Sequence, residues 1–380
     1  MKARRSPSVS DVQMQIQKAI DELVESGAER GMQVSAYRRG KLVVDAVAGI
    51  ADPSTGRAFE SDTPFYNFSI CKAAASTVAH ILAERGLFGY DTPVVELWPG
   101  FGAHGKEKVT VRHVLSHSAG VPGIPLTTTV EDLCDWDKMC AAIADSELWW
   151  QPGTKIGYHA YTFGYLVGEI VRRATGKPIS QALLDEVSGP LGVGDEIYFG
   201  MPRSEQHRLA RLEDAPADPA AMAVMASMPQ DLPMFKAAPM TLMPTAELGN
   251  RADVLAADIP AGGKTSARAI ARIYPALLGE VDGVRLISPE RLREVTAVAM
   301  SGTDQVFGMP TTWGLGYAIG GLGSPQGDES VFGVGGSGGS FACGDTASGI
   351  AFAVTKNRLT PDFSAATTLS QIVTTALHER

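Results

Sequence analysis

Strand-forming residues gather at the two ends of this chain, and what lies between reads as helix and turn. After an amphipathic helix over Asp11 to Glu25, two β-rich runs, Met32 to Tyr37 and Lys41 to Gly49, flank the short turn Arg38-Arg39-Gly40. That is the pattern of an antiparallel hairpin. Toward the other end, Ser330 to Val334, Ser340 to Cys343 and Ile350 to Thr355 are short strands with glycine-rich turns, and an amphipathic helix follows from about Phe363 to Leu377. From roughly Ser69 to Leu278 the apolar spacing is helical and the connections are rich in Pro and Gly. A sheet must bury a face against other elements. The expectation is therefore an α+β fold: one antiparallel sheet built from both termini and flanked by helices, with a mostly helical region inserted. Residues 1–68 and 279–380 would form the sheet region and 69–278 the helical region. No internal repeat is present.

The strongest chemical signal opens the helical region. After Phe68 the residues Ala74, Val78, Ile81 and Leu82 fall on one helical stripe, and Gly86 follows as a stop. Ser69 and Lys72 then stand three residues apart on one helix face, close enough to share a proton. A serine hydroxyl needs such a neighbour to act as a nucleophile, and the positive end of a helix favours the negative charge that develops there. A lysine set just inside an apolar helix start also needs partners, because burying its ammonium alone is costly.

Composition narrows the classes of function. The 380 residues are 44% hydrophobic and 20% charged, ordinary for a globular chain with a sizeable core. A net charge of −9 argues against nucleic acid or an anionic membrane as the main partner. No stretch reads as a membrane span. Met1 to Pro7 is basic, but the residues after it are polar and helical, without the apolar core of a signal peptide, so a cytoplasmic location is expected. Cys71, Cys134, Cys140 and Cys343 show neither metal-ligand spacing nor a disulfide framework. Neither cofactor nor metal is expected.

Other candidates are weighed by context. His113 and His117 are four apart, but the glutamate of a His-Glu-x-x-His site is missing, so they read as structural. Tyr158 lies in the loop before a helix over Phe163 to Ala174, and beside Lys72 it could act as general base or acid. Residues 215–248 are rich in Pro, Ala and Met, and Met222, Met225, Met228, Met234, Met240 and Met243 could wall a pocket or simply form a long irregular loop. Ala261 to Ser266 lacks the first glycine of a phosphate loop and is rejected as one. Gly335 to Gly339 matches Gly-x-Ser-x-Gly, with Asp345 or Asp362 and His378 in the chain order of a triad. That motif needs a helix after the serine, whereas this sequence continues as strand. The competing reading is an edge strand whose bare backbone N–H groups approach a substrate closely.

Taken together these residues resemble the serine β-lactamase and penicillin-binding-protein superfamily, with its family VIII carboxylesterase and transacylase branch most similar. Ser69-Ile70-Cys71-Lys72, Thr110 to Pro122, Pro152 to Tyr158, Gly164 to Arg173, Gly189 to Gly192 and Gly335 to Ser340 fall in the family's order over nearly the whole chain. The resemblance implies a groove between the sheet and helical regions, with Ser69, Lys72 and Tyr158 catalytic and an oxyanion hole made by the N–H groups of Ser69 and Ser337. His159, Val334, Gly335 and Gly336 occupy motif positions that imply substrate contact. The substrate would be a small-molecule ester or other acyl donor. Two departures bear on which one. The tyrosine motif reads Tyr158-His159-Ala160 where β-lactamases end in Asn, and the third motif reads Val334-Gly335-Gly336, leaving no cation for a substrate carboxylate. Ester hydrolysis through an acyl-Ser69 intermediate is therefore expected. The alternatives are acyl transfer to an amine or alcohol, β-lactamase or peptidase activity, and a binding protein without catalysis.

Overall fold

A computed structural model describes residues 9–321 and 327–378; the basic stretch Met1 to Pro7 lies outside them. The strands of the main sheet are β1 (Gly31–Arg38), β2 (Lys41–Asp52), β3 (Arg57–Ala58), β4 (Met300–Thr303), β5 (Pro310–Trp313), β6 (Ala318–Ile319), β7 (Val331–Gly336), β8 (Ser340–Asp345) and β9 (Ile350–Lys356). They run in the order β3-β2-β1-β9-β8-β7-β6-β5-β4, and their pairings are antiparallel. The two ends of the chain meet where β1 pairs β9, with Val34 opposite Val354. The sequence reading found β1, β2, β7, β8 and β9. It missed β3 and β4 to β6, which are only two to four residues long, too short for an alternation to show.

Helices α1 (Val9–Glu25), α2 (Lys72–Glu84), α3 (Thr162–Thr175), α4 (Pro219–Ser227), α5 (Ala267–Leu278) and α6 (Ser364–His378) are the elements the site depends on. On one face of the sheet α1 lays Val12, Ile16 and Ile20, spaced by four, against Val34 and Ala36, and α6 adds Leu369 and Val373. On the other face α5 covers β1, β8 and β9. Strand β1 is consequently buried on both sides although it alternates apolar with polar residues. Its polar side chain Gln33 is satisfied there, donating to the carbonyls of Glu60 and Thr63 and accepting from the Ala267 N–H. So α5, placed by sequence in the helical region, packs on the sheet.

Beyond α5 lies the helical part. Every side chain from Lys72 to Ala83 on α2 is buried, and its alanines let neighbours come close. The most intimate neighbour is α3. A Cβ on Gly164 would stand 2.1 Å from the backbone nitrogen of Ala261. A glycine inside a helix ordinarily costs about 1 kcal/mol relative to alanine. Here the contact is with main chain that cannot rotate away, so Gly164→Ala is expected to destabilise by about 1–3 kcal/mol net, read as a lower urea midpoint at unchanged slope.

The Met-rich segment is more ordered than its composition suggests. Asp218 caps α4, on which Met222, Val224 and Met225 are exposed. The following turn, Pro233–Ala237, anchors through buried Phe235 and Ala237. No described helix is long and apolar enough to cross a membrane.

Candidate active site

The nucleophile turn is locally strained and globally pinned. Phe68 adopts φ +48°, the left-handed region, and leads into a 3-10 turn over Phe68–Cys71 that feeds α2. Asn67, buried just before it, donates to the carbonyls of Phe65 and Thr265 and accepts from the Ser340 hydroxyl at 2.9 Å. The turn is thus tied to the start of β8. Strand β7 closes in from the same side: a Cβ on Gly336 would lie 2.3 Å from the Asn67 carbonyl oxygen, so only glycine permits this approach.

Lys72 is fully buried beneath Ser69. Its Nζ donates to Ser69 Oγ at 2.9 Å and to the Ala261 carbonyl at 2.8 Å, and among the described residues no carboxylate pairs with it. Burial pushes its pKa down from 10.5 to about 7. Lys72 is therefore substantially neutral near pH 7, the state in which an amine can take a proton. Tyr158 lines the same cavity as Ser69 and holds its ring 5.1 Å from Lys72 Nζ. Its own pKa is raised, chiefly by burial, and the nearby Ser69 hydroxyl only partly offsets this. The phenolate is thus disfavoured by burial, and Lys72, with its own pKa lowered to about 7, is only partly charged near neutral pH.

The cavity above Ser69 has a volume of about 140 Å³ and opens to solvent. Ser69, Tyr158 and Ser337 share its wall with Tyr66, Phe68, Tyr161 and the apolar side chains of Met234, Ala238, Met243, Pro244 and Phe307. Among the described residues no cationic side chain lines it. Of the Met-rich segment, Met234 and Met243 form wall, whereas Met222, Met225 and Met240 stand exposed to solvent.

Four expected substrate contacts are corrected. His159 is buried, with Nε2 accepting from the Val121 N–H and Nδ1 donating to the Gly157 carbonyl, so it braces the loop. Val334 is in the core. Gly335 faces Phe363 and Phe341, and Gly336 faces Asn67, so neither presents an open face to the cavity. Ser337, at the end of β7, is the part of this strand that reaches the wall. The elbow reading fails as well, since Ser337 is followed by β8 and no helix; Asp345 is engaged by Ser330 and Ser348, and the side chain of His378 lies outside those described.

The histidines of the 113–117 pair do not share a helix face. His113 completes a cap on Val111–Leu115, and His117 falls beyond that helix at φ +56°. Among the described residues no three His, Cys, Asp or Glu side chains gather as a metal site. The rejected phosphate loop has another role: Ala261 receives Lys72, Gly262 lines the cavity, and Lys264 is buried against the carbonyls of Phe199 and Val254. The sequence reading missed Ala261, Tyr161 and Phe307. Only Tyr161, one turn past Tyr158, carried a local signal.

A serine that shares a proton with a buried, neutralised lysine at the floor of a cavity is built to attack acyl carbonyls, and the class that fold and site define is a serine hydrolase. Over residues 16–376 the chain matches the family model described as Beta-lactamase, and it belongs to that family. It is 34% identical over 345 residues to the esterase/beta-lactamase LipL of Mycobacterium tuberculosis, covering 87% of this chain and 77% of that protein. A crystal structure of a family VIII carboxylesterase matches with a TM-score of 0.85 at 32% identity, over 96% of this chain and 98% of the other. EstA from Arthrobacter nitroguajacolicus matches with a TM-score of 0.85 at 28% identity, over 96% of each chain.

Proposed function

We propose that this chain hydrolyses carboxylic esters of small or apolar acyl groups through an acyl-Ser69 intermediate. The observation that carries the reading is the buried Lys72 Nζ, 2.9 Å from Ser69 Oγ and, among the described residues, without a carboxylate partner, beneath an apolar cavity. Lys72 takes the Ser69 proton as Oγ attacks the ester carbonyl. The oxyanion meets the N–H groups of Ser69 and Ser337. As the carbon–oxygen bond to the alcohol breaks, Tyr158 gives its phenolic proton to the departing oxygen and takes back the proton held on Lys72. Water then attacks the acyl-enzyme by the same route in reverse, releasing the acid and restoring Ser69. The esterase names of LipL, the family VIII carboxylesterase and EstA support this reading. The cytoplasm is the compartment we assign.

Because no cation lines the cavity, a carboxylate-bearing β-lactam would lack its ionic partner. A hydrogen bond to a charged group is worth about 1.5–3 kcal/mol, so nitrocefin should be turned over roughly 10- to 150-fold less efficiently than p-nitrophenyl butyrate, by kcat/KM. Equal efficiencies overturn the preference. The apolar wall of Met234, Met243 and Phe307 also favours a second reading, acyl transfer to an apolar amine or alcohol. Product analysis with an added amine distinguishes the two: an amide product at the expense of acid selects transfer.

A further inference from the structure

We propose that Asp304, outside the cavity, is a positioning residue that fixes Tyr158 and the Phe307 wall in one arrangement. This rests on the ester-hydrolase reading above. Asp304 follows β4 and opens the loop to β5; it is 5% exposed. Its carboxylate receives three backbone N–H groups: Tyr158 on Oδ2 at 2.8 Å, and Val306 and Phe307 on Oδ1 at 2.8 and 2.9 Å. Among the described residues no Lys, Arg or His forms an ion pair with it. A buried carboxylate held only by N–H groups is costly unless all of them are in place.

Two of those bonds would be ordinary loop capping. The third comes from a residue 146 positions away in sequence, and the loop does not need it to close: Asp304 N–H already donates to the Met309 carbonyl and Gly308 N–H to that of Asp304. The same loop is latched to the tyrosine loop once more, by Gln305 N–H on the Ile156 carbonyl at 2.9 Å. Beyond these ties the Tyr158 and Phe307 rings face one another with centroids 6.1 Å apart, and both line the cavity. One carboxylate therefore holds, through opposite oxygens, the main chain of the proton-handling tyrosine and that of the residue walling the acyl site.

The opposite-oxygen arrangement sets the test. In Asp304→Asn the side chain keeps its shape but must turn an NH₂ toward one set of donors. Turning it toward Tyr158 sacrifices one bond and turning it toward Val306 and Phe307 sacrifices two, so the tyrosine tie is the one lost. Asp304→Ala loses both. With p-nitrophenyl butyrate, Asp304→Asn is expected to lower kcat by about 10- to 100-fold with KM within about twofold, since misplacement by about 1 Å costs on that scale. Asp304→Ala should in addition change the butyrate-to-octanoate ratio of kcat/KM as Phe307 is released. Asp52→Asn, which caps an exposed turn through Ser54 N–H, supplies the comparison for a purely local cap and should leave kcat unchanged.

All are measured well below their melting temperatures, and the isosteric Asn variant stands in if the Ala variant fails to fold. An unchanged kcat in Asp304→Asn, or a change in KM alone, overturns the proposal. Fluorophosphonate labelling of Ser69 is followed in parallel. If wild type hydrolyses no ester, the ester reading falls, while unaltered labelling by Asp304→Asn would still overturn the positioning role independently.

Discussion

Ser69→Ala is expected to lower p-nitrophenyl butyrate hydrolysis by about 10⁴- to 10⁶-fold, the scale seen when a nucleophile acting as part of a unit is removed. Intact-mass analysis of the wild type should show an acyl adduct that maps to Ser69 and is absent from the variant. Ser337→Ala is the informative partner. In the proposed mechanism Ser337 contributes a backbone N–H, which survives the substitution, so activity should stay within about tenfold of wild type. Loss of activity in Ser337→Ala with Ser69→Ala intact would reverse the assignment of nucleophile. The geometry argues the other way: Ser337 lies in a hairpin end between β7 and β8, whereas Ser69 Oγ accepts a hydrogen bond from Lys72 Nζ and shares its cavity wall with Tyr158.

Removing Lys72 carries the second large effect. A positioned general base is worth about 10²- to 10⁴-fold, and Lys72→Ala should lose that much in kcat/KM without losing the fold. The pH profile gives a finer reading. The amine must be neutral to accept the Ser69 proton, and burial places its pKa at about 7. Activity on a neutral ester should accordingly be low in acid, rise through a midpoint near about 7 and level off above it. The sign for stability comes from the same shift. The folded-state pKa of Lys72 lies below its unfolded value of 10.5, so between about 7 and 10.5 the unfolded chain holds the extra proton and the Lys72 contribution becomes more favourable as pH rises. A profile falling from acid to neutral pH would instead require Lys72 to act in its charged form.

Much of this architecture is legible in local residue patterns. The Ser69–Lys72 pair, the strands at both ends, and α3 and α6 to within a residue at each end all follow from spacing along a single element. Where distant segments come to rest is not legible in that way. The glycines of β7 suggest an open surface for substrate, yet packing turns Gly335 onto Phe363 and Gly336 onto Asn67. The tyrosine beside a lysine suggests a stabilised phenolate, yet burial lowers the proton affinity of the lysine and raises that of the phenol.

By itself, then, the sequence determined the Ser69–Lys72 pairing and the sheet built from both termini, because a helix turn and a strand alternation are encoded in residues within a few positions of one another. The tertiary structure alone decided the proton affinity of Lys72, the Ala261 carbonyl that steadies it, the Phe307 wall and the three N–H bonds on Asp304. Each of these depends on burial or on main-chain groups, and a carbonyl oxygen or an N–H is the same in every residue that carries one, so no side-chain pattern announces it.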